Sequence, residues 1–182
     1  LLFIGLPAFA QQPRESLHFT SGKAQQITVY KGQIIVNGNK TYKLGADNIV
    51  YTSKRNRLWE DAGNVYLFLE VTAAPNKNRY YIFAINNSIA DSLMSTVSSD
   101  VKDWDRDGLL EFGGSDVTPV YPAADSMYYV PSKYYEIKKG AIIPDAQYTE
   151  KIDKKVNGTY LPDPLDNSGR CCKVIKKPKG RA

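Results

Sequence analysis

The chain has 182 residues, with 24 lysines and arginines against 19 aspartates and glutamates and a formal net charge of +5. An apolar share of 42% with 24% charged residues excludes a disordered or collagen-like chain, and one histidine with two cysteines excludes a histidine-built metal centre and a disulfide-scaffolded miniprotein. The length predicts one domain whose core needs no crosslink.

The first ten residues, LLFIGLPAFA, are uncharged and apolar, and a polar stretch opens at Gln11-Gln12. They read as the apolar core and cleavage site of a residual secretory signal peptide over residues 1–10, which predicts a secreted or periplasmic protein. The competing reading is a first β-strand. The run is too short to span a bilayer, which takes about 20 apolar residues.

From Gln26 to Ile85 the apolar pattern is of period two or continuous, with turn residues between the runs. Ile27–Tyr30, Gln33–Val36 and Lys40–Leu44 are separated by Lys31-Gly32 and Asn37-Gly38-Asn39, a hairpin signature because Asn-Gly accepts positive φ. Asn48–Thr52, Arg57–Trp59, Val65–Val71 and Arg79–Ile85 follow as further strands. The last two are the most hydrophobic runs and are expected to pair at the centre of the core. Residues 87–101, NSIADSLMSTVSSDV, are expected to form a short helix with Leu93, Met94 and Val97 inward, although their serines and threonines weaken it. Short strands are expected again at Tyr128–Val130, Tyr134–Ile137 and Ala141–Ile143.

From Pro162 onward proline, glycine and lysine dominate. Arg170, Lys173, Lys176, Lys177, Lys179 and Arg181 make residues 162–182 a basic flexible tail able to touch an anionic cell surface. The fold class expected is mainly β, an antiparallel meander, propeller-like or sandwich arrangement, in a single domain over residues 17–161 with at most one short helix.

Few residues offer catalytic chemistry. Any Ser-His-Asp or Cys-His triad would have to use His18, the only histidine. Cys171 and Cys172 are adjacent, and one trans peptide sets their Cα atoms about 3.8 Å apart, less than the usual disulfide span. They are therefore expected to bond a partner chain or to lie exposed. Glu60-Asp61 beside Trp59, or Glu70, are the carboxylates a glycosidase would use. Tyr128-Tyr129 and Tyr134-Tyr135 put one ring on each face of a strand, the inner in the core and the outer available to stack on a sugar or peptide.

The segment DWDRDGLLEFGG, Asp103 to Gly114, is the most informative. Asp103, Asp105 and Asp107 alternate, Gly108 follows, and Glu111 comes four residues after Asp107. Alternate carboxylates in a tight loop can supply the six to eight oxygens that calcium takes. Without a cation such close charges repel one another. In an EF-hand the twelfth position holds a glutamate, but here it is Gly114, so the loop is not an EF-hand.

The spacing of Asp103, Asp105, Asp107, Gly108, Glu111 and Phe112 resembles the calcium loop of FG-GAP and VCBS-like, integrin-type β-propeller repeats, over about residues 98–114. That resemblance implies side-chain ligands from Asp103, Asp105, Asp107 and Glu111, a backbone carbonyl ligand from Leu109, and Val101 as the inward residue of the strand entering the loop. The motif occurs once, so a propeller of calcium-bearing blades is not expected. Ligands from one contiguous loop saturate the ion, which makes it structural.

The sequence thus predicts an exported, calcium-stabilised binding or structural module of the cell envelope or extracellular space. It would act on an unidentified protein or carbohydrate and not on nucleic acid. The alternative is a secreted carboxylate-dependent polysaccharide hydrolase.

Overall fold

The structure is a computed structural model and describes residues 15–178. The expected signal segment and residues 179–182 of the basic segment lie outside them. Among the described residues no helix is long and apolar enough to cross a membrane.

Strands β1 (Ser16–Thr20), β2 (Gln26–Tyr30), β3 (Gln33–Val36) and β4 (Asn39–Lys43) form one antiparallel sheet in chain order. Strands β5 (Arg57–Asp61), β6 (Asn64–Val71), β7 (Arg79–Asn86) and β8 (Ile89–Val97) form a second, also in chain order. In the third, β11 (Lys133–Lys138) lies between β9 (Leu110–Gly114) and β12 (Ala141–Pro144). A two-stranded pair joins β10 (Ser126–Tyr128) to β13 (Val174–Lys176). Helix α1 spans Ala146–Asn157. The protein is mainly β, in four antiparallel sheets without barrel closure.

Turn chemistry explains the meanders. Lys31-Gly32, Asn37-Gly38, Ala62-Gly63, Asn87-Ser88 and Lys139-Gly140 each carry two consecutive positive φ angles. Two-residue turns of this kind match the twist of the strands they join.

The second sheet is the middle layer. Val65, Leu67, Leu69, Val71, Phe83 and Ile85 pack with Ile27, Val29, Ile34 and Val36 of the first sheet. The opposite face, with Tyr66, Phe68, Tyr80 and Ile82, packs on Phe112 and Ile137 of the third. Phe112 is met edge-on by Phe68 at 5.1 Å and stacked by Tyr135 at 5.8 Å. Burial on both faces is why β6 and β7 read as continuous apolar runs. Each such side chain contributes about 1.5–3 kcal/mol when fully buried. The expectation that these two strands pair at the centre is met.

Hairpin tips fasten the second and third sheets together. The Asp61 carboxylate accepts from the Gly140 N–H at 2.5 Å, and the Gly140 carbonyl accepts from Asn64 Nδ2 at 2.7 Å and the Tyr66 hydroxyl at 2.6 Å. The far face of the third sheet carries Tyr134, whose ring meets Tyr148 of α1 edge-on at 4.8 Å and whose N–H donates to Thr149 Oγ1.

Several expectations are corrected. Residues 87–101 hold no helix. After the Asn87-Ser88 turn the chain runs back as β8 against β7, and Leu93 is exposed. That strand lies at a sheet edge, so its serines face water and blur the alternation. The helix lies instead at Ala146–Asn157, capped by Asp145, whose carboxylate accepts from the Tyr148 N–H, and ended by Gly158 in the left-handed region. Asn48–Thr52 contributes only the bridge between Ile49 and Val71. The basic segment is not wholly loose, since Val174–Lys176 pairs with β10. Cys171 and Cys172 bond each other across a cis peptide, with Cα atoms 3.0 Å apart, where the expectation assumed a trans peptide. Tyr129 is buried with Tyr128 exposed, as alternation requires, but Tyr134 and Tyr135 are both partly buried because α1 covers the third sheet's second face.

Candidate metal centre

The acidic loop leaves the second sheet after β8 and enters the third at β9. Its neck is closed by Lys102 and Glu111, which exchange both backbone hydrogen bonds. Val101, outside any strand, packs partly buried against the cluster around Phe112.

Inside the neck the loop folds on its own carboxylates. Asp103 Oδ1 accepts from the N–H groups of Arg106 and Asp107 at 2.6 and 3.2 Å, and its Oδ2 accepts from Gly108 at 3.1 Å. Asp107 Oδ1 accepts from the Leu109 N–H at 2.8 Å. Arg106 and Gly108 both take positive φ, +71° and +91°. Gly108 is therefore where the turn needs a residue without a Cβ.

These turns bring one oxygen from each of Asp103, Asp105, Asp107 and Glu111 within 4.8 Å of one another. Asp107 is exposed, whereas Glu111 is fully buried. Glu111 Oε2 accepts from the Trp104 N–H at 2.5 Å, but Oε1 has no hydrogen-bond partner among the described residues. A buried carboxylate oxygen left unpaired is costly. Burial pushes the Glu111 carboxyl above its ordinary range, and Asp105, Asp107 and Asp103 push it further against the pull of the Trp104 N–H. A divalent cation among the four oxygens would turn the repulsion between them into attraction to a shared charge. The donor set is all oxygen and suits a hard cation such as calcium. Leu109, expected to add a carbonyl, sits at the loop exit and lines a neighbouring cavity of about 160 Å³.

That cavity also touches Trp59, Glu60 and Asp61, which the sequence nominated as hydrolase carboxylates. Adjacent strand residues point to opposite faces. Glu60 accepts from the Gly22 N–H at 2.8 Å, on the side of the first sheet, and Asp61 from Gly140 on the side of the third. They do not converge on one bond.

Glu70 is equally occupied. It lies buried on β6, and its carboxylate is reached by Ser53, by Ser98 Oγ at 2.8 Å, and by Asn78 Nδ2 and Arg55 Nη1 at 3.3 Å. Burial raises its pKa, but the hydrogen bonds from Ser53, Ser98 and Asn78 and the Arg55 charge outweigh it and hold the carboxyl below its usual range. Three of its donors meet Oε1 and Ser53 meets Oε2, so both oxygens are already engaged within the fold. His18 stands exposed on β1 with Ser16 and Thr28 on its ring nitrogens and no carboxylate among its hydrogen-bond partners.

Sequence reading did not find Asp153 of α1. It is buried and accepts from Ser132 N–H and Oγ and from the Tyr129 hydroxyl. The one signal for it was Asp145 and Gly158 standing at the two ends of a helix-length segment.

No protein-family model matches the chain, and no curated protein and no solved structure matches it significantly.

Proposed function

We propose that the chain is an exported, β-rich binding or structural module of the cell envelope or extracellular space, whose loop from Asp103 to Glu111 takes a structural calcium ion. The observation that carries the metal reading is the fully buried Glu111 carboxylate, with one oxygen gathered with those of three aspartates and its Oε1 left without a partner among the described residues. Export rests on the apolar segment at residues 1–10, and the FG-GAP-like spacing of the loop supports calcium over other hard cations. Asp103, Asp105, Asp107 and Glu111 would hold the ion, with the Leu109 carbonyl beside them. The ion supplies charge neutralisation and crosslinks the loop. The residues themselves orient the neck between β8 and β9 and so fix one wall of the cavity beside Trp59.

Isothermal calorimetry with calcium chloride, paired with melting curves in calcium and in chelator, tests this. Calcium at a hundredfold over its Kd adds about 2.7 kcal/mol of stability. A melting temperature equal in calcium and chelator, with no heat of binding, overturns the reading.

A further inference from the structure

The metal loop's deepest ligand has a second carboxylate facing it. In the register between β9 and β11, Glu111 stands directly opposite Glu136. The backbone N–H and C=O of Glu111 both turn the other way, to Lys102. Glu111 and Glu136 are therefore a non-hydrogen-bonded pair, the closer of the two kinds in an antiparallel ladder. Their Cβ atoms lie about 5 Å apart on one face of the sheet. Both side chains are buried, Glu111 completely and Glu136 to 8% exposure. Like charges directly opposite destabilise a strand pair. Among the described residues Glu136 is paired with Lys138 Nζ at 3.3 Å, whose side chain is half exposed.

We propose that Glu136 is a positioning residue for the cation, an inference that rests on the calcium reading above. Its carboxylate lies outside the four-oxygen cluster and does not ligate. It repels Glu111 across the strand pair and adds a fifth negative charge to the field the ion enters. Lys138 works in the opposite sense by neutralising Glu136. The strand pair is therefore least comfortable without the ion, and binding the ion relieves it.

Calorimetry with calcium chloride on the wild-type chain, Glu136→Gln, Glu136→Asp and Lys138→Gln, with melting curves in chelator, tests this. Glu136→Gln is expected to weaken calcium binding about three- to tenfold at low salt, the interaction of a divalent ion with one charge roughly 7 Å away in a largely aqueous field. The same variant should melt higher than wild type in chelator. Glu136→Asp should restore most of the affinity, and Lys138→Gln should tighten binding about two- to threefold. Wild-type binding with an unchanged Kd for Glu136→Gln, or a lower melting temperature of that variant in chelator, overturns the role of Glu136 alone. A wild-type chain that binds no calcium removes both this inference and the metal reading.

Discussion

The Tyr129 hydroxyl donates to Asp153 Oδ2 at 2.8 Å with both side chains buried, and so binds the segment after β10 to the middle of α1. Burial, with Asp153 adding to it, holds the phenol protonated well above its ordinary range. Tyr129→Phe removes one of three donors from a buried carboxylate and should cost about 1–3 kcal/mol. Asp153→Ala strands all three donors and should cost about 3 kcal/mol or more. Urea denaturation measures both, and a Tyr129→Phe variant as stable as wild type would remove the pair from the account of how α1 is held.

Glu111→Gln should separate metal affinity from stability. Without calcium the variant loses a buried charge that three aspartates oppose, and its melting temperature in chelator should equal or exceed that of wild type. With calcium, the rise expected of wild type should largely vanish, because the buried carboxylate of the proposed site has lost its charge. A variant that melts lower in chelator and still gains the full calcium shift contradicts the assignment of Glu111 as a ligand.

Glu70 sets an acid limit. Its folded pKa lies below the ordinary glutamate value, so its contribution to stability is fully present above the unfolded pKa, about 4.3, and is lost as pH falls through the folded value. The groups facing it are Arg55, Ser53, Ser98 and Asn78, with Tyr80 opposite it on β7. Melting temperature should therefore fall from about pH 5 downward more steeply in wild type than in Glu70→Gln. Parallel curves for the two proteins over that range would show that Glu70 does not govern acid unfolding.

Gly140 is the point where Asp61, Asn64 and Tyr66 converge, and its φ is +72°. A Cβ there would meet Asn64 Nδ2, the Ala62 Cβ at 3.1 Å and the Asp61 carbonyl at 3.2 Å. Gly140→Ala adds this crowding to a left-handed backbone and should cost about 2 kcal/mol or more. Chemical denaturation gives the number. A cost below about 0.5 kcal/mol would place the variant among ordinary surface substitutions and show that the tip relaxes freely.

Strands β2 to β4 and β5 to β7 were legible because their information is local. Asn37-Gly38 and Ala62-Gly63 name their turns, and the runs in β6 and β7 are apolar on both faces because both faces are covered. The helix was hidden for the opposite reason. Its inward positions, Tyr148, Thr149, Asp153 and Asn157, keep helical spacing, but three of the four are polar and are satisfied by Ser132, the Val130 backbone and the Tyr134 N–H. Apolar periodicity cannot register a face that is buried through hydrogen bonds. β13 was missed because three residues show no period and its partner lies 46 or more positions away. In the acidic loop, spacing identified the four carboxylates that the fold gathers. Glu136 gave no sign, since its relation to Glu111 exists only in the register of two strands.

The covered second face of the β5–β8 sheet has a consequence for biosynthesis. Both early sheets are complete in hydrogen bonding once the chain has been made through Val97, and the first sheet already shields one side of the second. Tyr66, Phe68, Tyr80 and Ile82 on the other side stay bare until Phe112 and Ile137 have been translated. During that interval the nascent chain presents a contiguous aromatic surface, which is when self-association and chaperone capture compete most strongly with native docking.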